Sequence, residues 1–213
     1  IFLFTEKLDK IMSEDQSKEA SYKERMQRKK EYIDARIDDA NIDKGIIVLL
    51  TGNGKGKSSS ALGMICRALG YDMKIGIAKF LKGDQDTGED VFLAKQPNVQ
   101  ISRMKTGFTW DTQDRSSDIA AAETTWTHAE KLLSDDSYRL VVLDELTYML
   151  AYKYLDENRI LEAIRNRPPE QSVVMTGRGG GSAIRALADT VSEINDIKHA
   201  YKAGIKAREG VDF

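Results

Sequence analysis

GIIVLLTGNGKGKS, residues 45–58, is the stretch from which the architecture follows. Its first six residues form a short, unbroken apolar run of glycine and aliphatic side chains, as expected of a strand buried on both faces. TGNGKGKS at 51–58 then places Gly52, Gly54 and Gly56 directly behind that strand, and SSSALGMICRALG continues with apolar residues at helical spacing up to Gly70, a plausible C-cap. A glycine-rich turn between strand and helix can bend until successive backbone N–H groups converge on one concavity, and the helix adds the positive end of its dipole. Lys57 is spaced to bring a full charge to phosphate oxygens, and the Ser58 hydroxyl is placed for Mg²⁺. Gly52, Asn53, Gly54, Lys55, Gly56, Lys57 and Ser58 are therefore the expected grip for a nucleotide triphosphate. The stretch departs from G-x-x-x-x-G-K-[ST] in one place. Thr51 stands where the first glycine belongs, which leaves the path of the loop and the orientation of the nucleotide open. Lys55 is a second cation that the pattern does not require.

KIGIAKFLKG (74–83), VQISRM (99–104), YRLVVLDEL (138–146), QSVVMTGRG (171–179) and residues 190–194 also read as strands. Between them lie helical patterns at 117–133, at 157–167 before Pro168 and Pro169, and at 182–188. Strands alternating with helices imply βαβ units, hence an α/β fold with a mostly parallel central sheet and helices on both faces. Ligands of such sheets sit beyond the carboxyl ends of the strands. Three strands, ending at Leu50, Leu143 and Met175, run straight into TGNGKGKS, Asp144-Glu145 and TGRGGG. Two carboxylates at a buried strand end suit a hard cation with oxygen ligands, and Ser58 with Glu145 is the expected metal pair. An ion pair with Lys57 is the competing explanation for one carboxylate. Arg178 offers a donor fork for triphosphate oxygens.

Composition narrows the rest. With 32 basic and 34 acidic residues among 213, the net charge of -2 supplies no positive field for nucleic acid or an anionic membrane. Cys66 is the single cysteine, so no internal disulfide framework or multi-cysteine metal cage is possible; it reads as a small core residue in a protein of the reducing cytoplasm. The opening IFLFTEKL is too short in its apolar run for a signal peptide, and no stretch approaches the length of a membrane span. Residues 1–44 are charged and free of Pro and Gly, an N-terminal helical arm preceding an α/β domain at 45–213. Its sparse apolar positions Tyr22, Met26, Tyr32, Ile33 and Ile37 fit either a docking stripe or a solvated helix. His128 and His199 lack ligand-like partners four residues on.

Several further segments carry a resemblance: TGFTWDTQDR (106–115), VVLDELTYMLAYKYL (141–155), TGRG (176–179), ADTVSEINDIKHAYKAGIKAREGVDF (188–213) and RMQRKKEYIDARI (25–37). Through them the chain resembles the P-loop type of cob(I)alamin (corrinoid) adenosyltransferase from about residue 21 onward. FTWDTQ and DELTYM have no role in generic P-loop signatures. The resemblance implies a P-loop NTPase-like (RecA-like) fold and transfer of the 5′-deoxyadenosyl group of ATP to Co(I) of a corrinoid, such as cob(I)alamin, cobinamide or cobyrinic acid diamide. Triphosphate is the leaving group, Mg²⁺ (or Mn²⁺) the metal, and the ATP lies reversed relative to ordinary P-loop proteins, consistent with Thr51. It further implies that Phe108 and Trp110 press on the lower corrin face and displace the axial base. Losing that donor eases reduction of Co(II). Residues 21–44 become a lid, the protein a homodimer, and reduced flavodoxin or another electron donor its partner. A P-loop ATPase or phosphotransferase of the same fold is the alternative.

Overall fold

The computed structural model describes residues 2–81, 86–104 and 114–213, with side chains of the first helix described from Lys18 onward. The chain divides into two compact units, residues 1–43 and residues 44–213. The first unit is dominated by one 38-residue helix, α1 (Phe2–Asp39). Charges four residues apart pair along it, Glu19 with Lys23 at 2.9 Å and Glu24 with Arg28 at 2.6 Å. Each such pair contributes only about 0.2–0.5 kcal/mol. The absence of Pro and Gly therefore matters as much as any contact. Among the described residues no helix is long and apolar enough to cross a membrane.

The second unit runs β1 (Ile47–Thr51), α2 (Lys57–Leu69), β2 (Ile75–Lys79), α3 (Gly88–Leu93), β3 (Val99–Arg103), α4 (Arg115–Ser134), β4 (Leu140–Asp144), α5 (Leu146–Ala151), α6 (Glu157–Arg165), β5 (Ser172–Thr176), α7 (Gly181–Leu187) and β6 (Thr190–Glu193), followed by a 3₁₀ turn at Ala200–Ala203. All pairings in the six-stranded sheet are parallel, in the order β3-β2-β4-β5-β1-β6. β5 thus separates the strand of the glycine loop from the strand that ends in carboxylates, the RecA-like arrangement of a P-loop fold.

The strand period of two divides the core into two layers. Ile47, Leu49, Val141, Leu143, Val173 and Met175 face a cluster that includes Trp126 and Leu133 of α4, Met149 of α5, Ile160 and Ile164 of α6 and Ile184 of α7. Val48, Leu50, Val142, Val174, Ile75 and Ile77 face the other way, onto Ala61, Ile65 and Ala68 of α2 and Leu93 of α3. Both faces are dry, which is why these strands read as continuous apolar runs.

Four details differ from expectation. Cys66 is exposed, because the buried stripe of α2 is Ala61, Ile65 and Ala68 and Cys66 lies one residue off it. Gly70 closes α2 in right-handed conformation, and the positive φ of that turn falls on Asp72 instead (φ 54°). The strand read through Leu146 ends at Asp144, since Glu145 turns left-handed (φ 59°) and starts α5. Neither α5 nor α3 was distinguishable by periodicity, each being only six residues long.

Candidate functional site

Three strand ends converge at the carboxyl edge of the sheet. The β1 loop is shaped by Gly52 at φ 101°, and a Cβ there would come within 2.4 Å of the Ile194 carbonyl oxygen. That closeness has a use: Gly54 N–H donates to the Ile194 carbonyl at 2.7 Å, tying the loop to the chain beyond β6. Thr51 is fully buried, and its hydroxyl donates to the Gly179 carbonyl at 2.7 Å. A threonine in place of glycine therefore joins the phosphate loop to the turn after β5, a bond glycine has no atom to make.

Lys57, the first residue of α2, is 8% exposed and its ammonium donates to the Gly54 carbonyl at 2.8 Å, folding back over the loop. Burial depresses its pKa, opposed by the attraction of Glu145 and aided by the like charge of Arg178. Ser58 Oγ donates to Asp144 Oδ1 at 2.9 Å, and that oxygen also accepts from Thr176 Oγ1 at 2.7 Å. Thr176 Oγ1 in turn accepts from the Glu145 N–H at 2.9 Å, which holds the left-handed turn. Burial, then the adjacent Asp144 charge, pushes the Glu145 carboxyl up to about 7 against the pull of Lys57 and Arg178.

Glu145 Oε2 is buried without a hydrogen-bond partner among the described residues. A buried, unpartnered carboxylate oxygen is costly, and a hard divalent cation would relieve it. Mg²⁺ is commonly bound through one or two carboxylates together with substrate phosphates and water. The Ser58 hydroxyl, Asp144 and Glu145 are the right kind of donors for such an ion.

Asn53 to Ser58, Asp144, Glu145 and Arg178 line one cleft of about 730 Å³. The sequence-expected metal pair and arginine are thus brought together with the expected grip except Gly52, which shapes the loop without lining the cleft. Phe108 and Trp110 lie in 105–113, outside the described residues. Sequence reasoning named both acids without their division of roles, and passed over three further contributions to the same cleft. Asp144, not Glu145, is the carboxylate bonded to Ser58, a distinction that two adjacent acids cannot reveal before the strand-to-helix turn is known. Leu62 and Cys66 of α2 line it, as do Glu89 and Phe92 of α3. Gly210 to Phe213 and His199 reach it from the far end of the chain. Only the helical spacing of Leu62 and Cys66 carried any signal of this. His128, by contrast, is engaged with Ser102 Oγ at 3.1 Å, away from the cleft.

The pattern of the family described as ATP:corrinoid adenosyltransferase BtuR/CobO/CobP matches residues 43–213, and that of the cob(I)alamin adenosyltransferase N-terminal segment matches residues 12–37. Among curated relatives, a corrinoid adenosyltransferase of Pseudomonas aeruginosa is 49% identical over 203 residues, covering 95% of this chain and 100% of the relative. A corrinoid adenosyltransferase of Escherichia coli is 48% identical over 192 residues, covering 90% and 97%. One from Salmonella typhimurium is 45% identical with the same coverage. On the match across residues 43–213 and on this identity along almost the whole chain, the protein belongs to the ATP:corrinoid adenosyltransferase family.

Proposed function

We propose that the cleft between the β1 loop and Asp144, Glu145 and Arg178 seats ATP so that its 5′-deoxyadenosyl group passes to Co(I) of a corrinoid, with triphosphate as leaving group. The observation that carries this reading is the convergence of Lys57, Ser58, Glu145 and Arg178 on one cleft, in a chain nearly half identical to corrinoid adenosyltransferases.

The bookkeeping of the step is simple. Co(I) donates an electron pair to C5′, the C5′–O5′ bond breaks, and its electrons leave with the triphosphate, so cobalt ends formally as Co(III). No proton moves, and no general base is required. What the protein must supply is charge neutralisation for the leaving group and alignment of C5′. The backbone N–H groups of residues 52–58 that remain free, Lys57 and the Arg178 fork serve the triphosphate. Mg²⁺, held by Ser58 with Glu145 and Asp144, supplies Lewis-acid neutralisation of the phosphate oxygens when bound.

Holding the triphosphate in the loop directs the adenosyl end outward, toward the corrinoid. Phe108 and Trp110 are the residues to which we assign the lower corrin face, where excluding an axial base favours Co(I). Residues 21–44 keep the lid role that the family resemblance implies, and the chain works as a cytoplasmic homodimer supplied by reduced flavodoxin or a comparable electron donor.

Incubating the protein with MgATP and chemically reduced corrinoid tests the proposal. Expected are a light-sensitive adenosylated product and an equivalent of inorganic triphosphate. Release of phosphate or diphosphate with the adenosine C5′–O bond intact would instead identify an ATPase or phosphotransferase.

A further inference from the structure

The cleft contains an acid that the transfer does not call for. Asp212 reaches the phosphate loop from the opposite end of the sequence, and its Oδ1 pairs with Lys55 Nζ at 2.8 Å. The other carboxylate oxygen accepts the Arg208 N–H at 2.8 Å, the Asp212 N–H donates to the Arg208 carbonyl at 2.7 Å, and the Gly210 N–H donates to the Phe213 carbonyl at 2.8 Å. A tight local turn thus presents the carboxylate. Gly210, Val211, Asp212 and Phe213 line the same cleft as Lys55 and Lys57. Lys55 is the cation that the loop pattern does not require, and its partner is a group of the same charge as the ligand the loop is built to hold.

Resting on the reading of this cleft as the triphosphate seat, we propose that Asp212 is an internal competitor for that leaving group. Its carboxylate occupies Lys55 when the cleft is empty, yields it to a phosphate oxygen when the triphosphate is bound, and reclaims it as the triphosphate departs.

Both members are partly solvated, with side-chain exposures of 44% for Lys55 and 28% for Asp212, so the pair is weak enough to exchange. Lys57, by comparison, is buried and folded onto the Gly54 carbonyl, and among the described residues no negative charge competes for it at hydrogen-bonding distance. In a transfer whose leaving group carries several charges and stays intact, a loop that gripped it without opposition would retain its product. An acid beside one of the loop's two lysines lowers the grip on triphosphate while leaving Lys57 in place. Asp212 acts through Lys55 and is in that sense a positioning residue.

The test is equilibrium binding of inorganic triphosphate with Mg²⁺ to the full chain, by calorimetry, at low and high ionic strength. Asp212→Asn is expected to bind it about five- to tenfold more tightly at low salt, a gain that shrinks as salt screens the charge. Asp212→Glu, which keeps the acid, is expected to stay within about twofold of the unaltered chain. In a Lys55→Ala background the gain from Asp212→Asn is expected to fall below about twofold, because the exchange has lost its cation. Unchanged or weaker binding by Asp212→Asn overturns the inference, and so does a gain that persists undiminished without Lys55. If the unaltered chain binds no triphosphate at all, the reading of the cleft itself fails, and this inference with it.

Discussion

The hydroxyl of Ser58 donates to Asp144 Oδ1 at 2.9 Å, although 86 residues separate them, and Thr176 Oγ1 donates to the same oxygen at 2.7 Å. One carboxylate oxygen therefore joins the ends of three strands: the helix start after β1, the end of β4 and the end of β5. Asp144→Asn exchanges a double acceptor for an amide and removes a charge that a divalent cation would need. Its expected effect is a fall in kcat/KM of about a hundredfold or more with a raised Mg²⁺ requirement, read by titrating Mg²⁺ in the assay with reduced corrinoid. A Mg²⁺ dependence identical to that of the unaltered chain would remove Asp144 from the metal site.

Lys57 is held by burial and by the Gly54 carbonyl, with its charge in the cleft proposed to seat the triphosphate. Lys57→Ala is expected to abolish detectable turnover, a loss on the order of a thousandfold, with thermal stability little changed. Single-turnover formation of the cobalt–carbon bond from Co(I) is the measurement.

Glu145 makes stability depend on pH. Its carboxyl is raised from 4.5 to about 7 in the ligand-free fold. The folded state therefore binds a proton that the unfolded chain has released over this interval. The resulting stability is present in full below about pH 4.5 and is lost as pH rises through about 7. The ligand-free protein should lose thermal stability between pH 5 and pH 8, in the part attributable to this group, and Glu145→Gln should flatten the profile. Parallel melting curves for the two proteins across that range would contradict the assignment.

Gly177 is placed where no side chain fits. A Cβ would lie 2.1 Å from Thr147 Oγ1, and φ is 138°. Thr147 Oγ1 itself donates to the Arg178 carbonyl at 2.9 Å, so the clash would unseat the turn carrying Arg178. Gly177→Ala should cost about 2–4 kcal/mol, roughly 5–10 °C in Tm. Adding Thr147→Ala should recover only part of that loss, since the backbone strain persists. Full recovery would show that φ carries no cost here.

Trp110→Ala is expected to impair the reaction starting from Co(II) far more than the reaction starting from chemically prepared Co(I). Equal losses in the two assays would sink the part assigned to Trp110 in easing reduction.

Much of the fold was legible because it depends on local pattern. Dry strands read as unbroken apolar runs, and Pro168 lies just beyond the end of α6. The glycines of 52–56 announced a turn before the hydrogen-bond partner that requires it was known. The short helices α3 and α5 were not legible, since six residues are too few to display a helical period. Cys66 was misread because composition assigns a cysteine to the interior, whereas the helical phase set by Ala61 and Ile65 turns it toward the cleft.

The site divides in the same way. Which chemical groups are present, namely three glycines, two lysines, a hydroxyl, paired carboxylates and an arginine, was settled by the order of residues, because each follows a strand end and strand ends of a parallel sheet share an edge. Which group touches which was decided by tertiary structure alone. Asp144 meets Ser58 because Glu145 turns left-handed, Thr51 finds the Gly179 carbonyl because β5 lies beside β1, and Asp212 reaches Lys55 because the chain returns over the loop after β6. Those pairings span from 86 to 157 residues of sequence, a separation over which no periodicity or motif spacing can specify contact.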